Sequence, residues 1–333
     1  AFRWSPDGRK IAYWSFDMSG VRDFLLINDT DSLYSFTIPI QYPKAGTTNS
    51  AVRAGVVSAE GGETVWLRLP GSPRDDYLPR MEWAASADEL ILQRMNRLQN
   101  TDRVMMADAA TGEVRDLFTE TDDAWLDVVD DWPWLDDGRR FLWVSERDGW
   151  RHFYTVSRDG GTVRLLTPGD YDVISVEAVD EDGGWIYVTA SPDDPTSRYL
   201  YRVPLAGGAA ERVTPEDQAG THGYLVAPGA GWAIHTRSSF DEPPGTDLVA
   251  LPAHEPVRTL VTNDRLRAAA APLLERRTEA FRVAVGGGVE LDGWMIFPKD
   301  FDPSRRYPLL MHVYTEPAGT TVNDAWGGSR GLW

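Results

Sequence analysis

Near the end of the chain, Gly327-Gly328-Ser329-Arg330-Gly331 fits the pattern G-x-S-x-G. That pattern presents a nucleophilic serine on a sharp turn between a strand and a helix, with Asp and His later in the chain. Here a polar stretch, Thr321-Val322-Asn323-Asp324, precedes it, and neither Asp nor His follows Ser329 within the 333 residues. Ser329 therefore does not read as a nucleophile. The five His residues, His152, His222, His235, His254 and His312, are scattered, and none stands at a metal-ligand spacing such as H-E-x-x-H. His152 opens one expected strand and His312 lies inside another, so both read as packed, hydrogen-bonded side chains. Asp122-Asp123, Asp130-Asp131 and Asp136-Asp137 carry enough charge for Ca²⁺. They lack the alternating ligands and closing Glu of a calcium loop, and read as turn residues. Gly286-Gly287-Gly288 is followed by neither Lys-Ser/Thr nor a helix, so it reads as a hairpin turn, not a phosphate loop. With no Cys, disulfides, thiolate metal sites and a Cys nucleophile are excluded. No motif calls for a metal or a cofactor. Asn28-Asp29-Thr30 fits a glycosylation sequon, which has meaning only in a glycosylating compartment.

Such residues are positioned by a repeated unit, clearest in Trp132 to Thr167. Three apolar runs, Phe141-Leu142-Trp143-Val144, His152-Phe153-Tyr154-Thr155-Val156 and Val163-Arg164-Leu165-Leu166, are separated by Asp148-Gly149 and Asp159-Gly160-Gly161. A further turn, Asp136-Asp137-Gly138, opens the unit. Asp-Gly and Gly-Gly accept the positive φ of tight turns, so the unit reads as strands joined by hairpins. Each unit closes on a Val/Leu-rich strand ending in Thr. The closing residues, Thr119, Thr167, Thr214 and Thr262, stand 48, 47 and 48 residues apart. That period, with several short strands per unit, is the mark of β-propeller blades.

A matching inner hairpin recurs at Trp4–Trp14, Trp83–Arg94, Trp132–Ser145, Val179–Ala190 and Ala227–Thr236. The expectation is a mainly all-β chain: a partial β-propeller of about five four-stranded blades over residues 1–271. The first blade is longer, with an insertion around Ile38 to Gly46. After Thr262 the pattern changes. Asp264 to Arg277, rich in Ala, Leu and Arg, reads as a short helical linker. Phe281–Val285 and Val289–Pro298 read as a hairpin. Tyr307-Pro308-Leu309-Leu310-Met311-His312-Val313-Tyr314 is nearly continuously apolar, as in a strand buried on both faces of an α/β sheet.

The hydrophobic share of 42% and charged share of 25% are ordinary for a globular chain. No apolar run reaches the roughly 18 residues of a membrane span. Ala1-Phe2-Arg3-Trp4 reads as the interior of a domain, not as a signal peptide. The net charge of −18 makes nucleic acid and anionic lipid poor partners. It reads as a solvated surface. The lack of Cys does not fix the compartment, because a periplasmic protein can do without disulfides.

Phe2-Arg3-Trp4-Ser5-Pro6-Asp7-Gly8, Ile38 to Gly46, Ser145-Glu146-Arg147-Asp148-Gly149-Trp150-Arg151-His152 and Tyr307 to Tyr314 stand in this order along the chain. Together they resemble the dipeptidyl peptidase IV family of the prolyl oligopeptidase superfamily of serine peptidases. The resemblance covers the whole chain. It implies an eight-bladed propeller capping an α/β-hydrolase domain, of which residues 272–333 would be the start. It implies a Ser-His-Asp triad that removes N-terminal dipeptides with Pro or Ala in second place. It also implies a Glu pair that binds the substrate's free amine. Neither the triad nor a Glu-Glu pair lies in this chain.

By the same resemblance, Tyr314 matches the family Tyr before the oxyanion loop, where its hydroxyl donates to the developing charge. Thr315-Glu316-Pro317-Ala318-Gly319 departs from the small, Gly-rich residues usual after that Tyr. The implied partners are peptides with a free N-terminus and, for the full-length protein, a second copy in a homodimer. A periplasmic or secreted location is the expectation for that protein, and the chain by itself is expected to be inactive. The competing expectation, resting on Thr315-Glu316, is a non-catalytic propeller that binds a protein or peptide.

Overall fold

Leu90 and Leu92 point to one side of the strand Glu89–Asn96, Ile91 points to the other, and all three are fully buried. The next strand, Thr101–Asp108, repeats this: Met105 and Ala107 join the first cluster, Val104 and Met106 the second. A strand with both faces covered loses the polar half of its alternation. That is why these stretches read as nearly unbroken apolar runs. The computed structural model describes residues 1–130, 132–314 and 320–328. They fall into two compact units, Ala1–Gly149 with Phe153–Leu165, and Trp150–His152 with Leu166–Trp333.

In the first unit, the opening strands are β1 (Phe2–Trp4), β2 (Lys10–Asp17), β3 (Asp23–Asn28), β4 (Phe36–Gln41), β5 (Ala51–Ser58) and β6 (Val65–Trp66). They form one sheet in the order β1-β2-β5-β6 and a separate hairpin, β3-β4. That hairpin is the expected insertion, but it begins earlier, at Asp23, and exposes Leu25, Ile27 and Phe36. The second sheet is built from β7 (Asp76–Tyr77), β8 (Met81–Trp83), β9 (Glu89–Asn96), β10 (Thr101–Asp108) and β11 (Val114–Thr121). Both β7 and β8 pair with β9. Pro79 stands between them and has no N–H to continue the ladder, so the first strand of this blade is split. The third sheet follows as β12 (Trp134–Leu135), β13 (Arg140–Ser145), β14 (His152–Ser157) and β15 (Val163–Leu165). Apolar side chains fill the space on both faces of the second sheet. Ala12, Ala54 and Val56 of the first sheet meet it on one side, and Phe141, Trp143 and Val156 of the third on the other.

The second unit holds two more four-stranded sheets. One is β16 (Val173–Asp180), β17 (Trp185–Ala190), β18 (Tyr199–Pro204) and β19 (Glu211–Arg212). The other is β20 (Thr221–Val226), β21 (Trp232–Ser238), β22 (Gly245–Ala250) and β23 (Glu255–Val261). Tyr187, Leu200 and Val213 of the former pack with Tyr224, Ala233 and Val249 of the latter. Helix α1 (Asp264–Ala270) follows, then a 3₁₀ turn at Ala271–Leu273, where Pro272 removes an N–H and ends the helix short of the expected Arg277. The last pair is β24 (Thr278–Gly286) with β25 (Val289–Ile296), turning on the Gly triplet.

The five expected blades are thus five sheets of antiparallel strands in chain order. The first four inner hairpins each join an opening strand of their sheet to the next, whereas Ala227–Thr236 begins just after β20 and takes in only the turn and most of β21. Thr119 lies in β11, and Thr167, Thr214 and Thr262 follow β15, β19 and β23 within two residues, so all four mark the outermost strand. The run Tyr307–Tyr314 corrects an expectation. It pairs with no strand among the described residues and is open to solvent, Leu310 being 94% exposed. His312 is exposed with it rather than packed. A strand buried on both faces needs neighbours on both sides, and the described residues supply none.

The Asp-Gly turns take the positive φ expected of them. At Asp159-Gly160-Gly161, the Asp159 carboxylate accepts from Ser157 Oγ and from Gly161 N–H at 2.9 Å. Gly160 has φ +78, and a Cβ there would stand 2.3 Å from the Leu117 carbonyl oxygen. Both the backbone conformation and the space exclude a side chain. Gly160→Ala is expected to destabilise the fold by about 1–3 kcal/mol. Urea denaturation checks this; an unchanged midpoint would contradict it.

Candidate functional site

Tyr314 ends the exposed apolar run, with 59% of its surface open to solvent. The segment that delivers it leaves β25 through a small aromatic cluster. Phe297 and Phe301 stand 4.7 Å apart between ring centres, and Phe301 and Tyr307 5.3 Å. The backbone N–H of Asp302 donates to Tyr307 Oη at 3.0 Å, closing the loop that turns the chain into the run. Residues 315–319 and 329–333, which include Thr315-Glu316 and Ser329, lie outside the described residues. Between them, residues 320–328 return to loops of the fourth and fifth sheets. Asp324 N–H donates to the Thr196 carbonyl at 2.7 Å, and Asp324 Oδ1 accepts from Phe240 N–H at 2.8 Å.

The scattered His residues are less scattered in space than in sequence. His222, His235 and His254 come together on the fifth sheet, all buried. The β20–β21 register sets Tyr224 opposite His235, so His222, two residues earlier on the same face of β20, reaches His235 diagonally. The rings of His222 and His235 stack 5.0 Å apart at 8°, and His254 meets His235 edge-on at 4.7 Å. The hydrogen bonds fix the tautomers. His222 Nε2 lies 3.2 Å from the Gln218 carbonyl oxygen, which only accepts, so Nε2 carries the proton. His222 Nδ1 then accepts from His235 Nε2–H at 2.8 Å. Tyr224 Oη bridges Thr214 Oγ1 at 2.7 Å and His254 Nε2 at 3.0 Å. A cavity of about 180 Å³ opens beside this cluster, lined among others by His235, His254, Arg237, Glu242, Asp247 and Arg267. Among the described residues no group of three or more His, Asp or Glu is placed to hold a metal ion. Nothing in the spacing 222, 235, 254 announces this cluster. The one local signal is His222 and Tyr224 sharing a strand face.

A second buried polar group sits in the second and third sheets. Trp143 Nε1 donates to Glu120 Oε1 at 3.0 Å, and Arg147 pairs with the same carboxylate. Asp102 stands opposite Glu120 in the β10–β11 ladder and is 2% exposed. Burial, then the neighbouring Glu120 charge, push the Asp102 carboxyl up to about 7. Of the other carboxylates singled out in the sequence, Asp122 opens a bend and Asp136 and Asp137 lie in a turn, while Asp130 forms an ion pair outside any turn. Asp122 accepts from the Ala124 and Trp125 N–H groups at 2.7 and 3.1 Å, and Asp130 takes the Arg80 Nε–H at 2.6 Å. Asp136 and Asp137 hold the left-handed conformation of their turn, with φ 51 and 54. Asp131 lies outside the described residues. His152 is buried edge-on to Tyr171 at 6.0 Å, in line with its expected packing role.

These buried groups give opposite pH dependences. Burial lowers His222 to about 4 and His235 to about 3, and lowers His254 as well. In the unfolded chain the same imidazoles titrate near 6.5. Below that pH the unfolded state takes up protons that the folded sheet refuses. Stability is therefore complete above pH 6.5 and falls as pH drops toward 4. Asp102 runs the other way: its contribution is complete below the ordinary carboxyl value of 3.8 and is lost as pH rises through about 7. The melting temperature is expected to fall between pH 6.5 and pH 4. His222→Gln combined with His235→Gln should make that fall shallower; an equally steep fall would contradict the assignment.

A family model described as the dipeptidyl peptidase IV N-terminal region matches residues 1–244. Dipeptidyl peptidase 4 of Arthroderma otae is 23% identical over 338 residues, covering 98% of this chain and 44% of that protein. A probable dipeptidyl peptidase 4 of Aspergillus flavus is 24% identical over 341 residues, with 98% and 44% covered. Among solved structures, Porphyromonas gingivalis dipeptidyl peptidase 4 matches with a TM-score of 0.86 at 27% identity, covering 98% of this chain and 46% of that one. A putative dipeptidyl aminopeptidase IV from Bacteroides ovatus shares the fold, with a TM-score of 0.84 at 23% identity over 99% of this chain and 49% of that one. The chain spans about half the length of the relatives it matches.

Proposed function

Because the chain belongs to the dipeptidyl peptidase IV family, matching its N-terminal region, we propose that it is the blade-bearing portion of a serine exopeptidase. That enzyme releases N-terminal dipeptides, Xaa-Pro or Xaa-Ala, from peptides. Residues 1–271 form its partial propeller, and residues 272–333 begin its α/β-hydrolase domain. The observation that carries this reading is the family match over residues 1–244, on five sheets that follow one another in chain order. The substrates are peptides with a free N-terminus, and the full-length protein is a homodimer.

In such an enzyme a serine, deprotonated by His, attacks the carbonyl after the second residue. The carbonyl oxygen becomes negative in the tetrahedral intermediate and needs donors aimed at it. Tyr314 is the residue of this chain that takes that part. Its hydroxyl is a donor on an exposed side chain, at the end of an apolar run that pairs with no strand among the described residues. The chain alone supplies no activated nucleophile and is inactive. A fluorophosphonate probe, which reacts with activated serines, tests this. It should label the full-length protein and leave this chain unlabelled. Failure to label the full-length protein, or labelling of this chain at Ser329, would overturn the reading.

A further inference from the structure

The described residues on either side of Tyr314 are anchored, before it at 297–307 and after it at 324–326. Upstream, the Phe297–Phe301–Tyr307 rings and the Asp302 bond to Tyr307 Oη fix its entry. Downstream, the described residues after Tyr314 reach the fifth sheet and its neighbour through Asp324 and Trp326. Asp324 uses both its backbone and its side chain. Its N–H donates to Thr196 O at 2.7 Å, and its carboxylate takes the Phe240 N–H at 2.8 Å. Trp326 N–H adds a longer bond to Ser238 Oγ at 3.3 Å.

Both receiving loops are stiff. Thr196 belongs to the loop between β17 and β18, which Asp194 ties down: its Oδ1 accepts from Thr196 N–H at 2.9 Å and Oγ1 at 2.8 Å, and its Oδ2 from Ser197 Oγ at 3.0 Å. Phe240 belongs to the loop between β21 and β22. There Glu242 is gripped by Arg237 at 3.2 Å and by Arg267 of α1 at 2.7 Å. The Phe240 ring in turn packs on Trp294 of β25, 4.8 Å between centres. Two blade loops, each locked by its own carboxylate, thus converge on one aspartate beyond Tyr314.

We infer that Asp324 is a positioning residue, clasping the chain after Tyr314 onto the blade loops at Thr196 and Phe240 and so setting where the Tyr314 hydroxyl stands. This rests on the oxyanion role proposed for Tyr314. The physical reason is the length of the span. Sixteen residues separate Tyr307 from Asp324, and their described members make no other bond to the blades. Releasing one end lets Tyr314 wander, and an error of about 1 Å in a catalytic donor costs up to about 10²-fold in rate.

The test uses the full-length protein and H-Gly-Pro-p-nitroanilide. Asp324→Ala should lower kcat at least tenfold with KM within about twofold. Asp324→Asn, whose side-chain oxygen still accepts from Phe240 N–H, should restore most of it. Adding Asp324→Ala to Tyr314→Phe should cost nothing more, because the group being positioned is already gone. An unchanged kcat in Asp324→Ala, or losses that multiply with Tyr314→Phe, would overturn the inference. Hydrogen exchange provides a readout separate from activity: the Phe240 amide should be protected in the wild type and in Asp324→Asn and exchange fast in Asp324→Ala. If the wild type turns over substrate but Tyr314→Phe is as fast, the oxyanion reading fails and the positioning role with it. If Tyr314→Phe is slow and the Phe240 amide exchanges alike in all variants, only the clasp fails.

Discussion

Tyr314→Phe in the full-length protein is expected to lower kcat by about 10²–10³ while leaving KM for a dipeptide substrate nearly unchanged. Removing one donor from an oxyanion site costs about 2.7–4 kcal/mol of transition-state stabilisation. The donor matters only once the carbonyl oxygen has become negative, so the ground-state complex does not notice its loss. Phe keeps the ring and removes only the hydroxyl. The exposure of Tyr314 makes the substitution clean, because no buried partner among the described residues is left unsatisfied. Steady-state kinetics decide it. A KM that rises with kcat unchanged would mean that Tyr314 binds substrate without stabilising the transition state. Unchanged kcat and KM would remove it from the chemistry.

The second large effect concerns stability. Trp143→Ala is expected to destabilise the first unit by about 3–5 kcal/mol, the range for emptying a large aromatic site in a packed core. Trp143 is 1% exposed, lies against Trp132 at 6.0 Å and Phe118 at 5.2 Å, and donates its Nε1–H to the buried Glu120. Trp143→Phe separates the two losses. It keeps most of the ring packing and removes the hydrogen bond, whose loss should cost about 1–3 kcal/mol because a buried acceptor loses one of its donors. Denaturant unfolding of the two variants should rank them in that order. Equal losses would mean that the bond to Glu120, and not the packing, holds this part of the core.

The blades were readable from residue types because the same physics recurs in each. Asp-Gly turns at Gly149 and Gly160 need positive φ, and the structure has it, at +99 and +78. The Thr spacing of 47–48 residues tracks the outermost strand because each unit spends the same chain length on four strands. Other features have no local cause. The run Tyr307–Tyr314 has the composition of a buried strand, but burial is a property of its neighbours, and the described residues give it none. His222, His235 and His254 meet through register, which hydropathy does not report. Tyr314 is marked by a family pattern and not by its own surroundings. Asp324 belongs to no pattern at all: its role arises from two loops that lie 44 residues apart in sequence, at Thr196 and Phe240.

As the proposed blade-bearing part of an exopeptidase, this chain should belong to a protein that cuts dipeptides from free peptide N-termini. The most direct measurement is chromophore release by the full-length protein from H-Gly-Pro-p-nitroanilide and from the same compound with its N-terminus acetylated. Rapid release from the free amine, with little or none from the acetylated compound and none by this chain alone, is the predicted result. No release from either, or equal release from both, would contradict the claim.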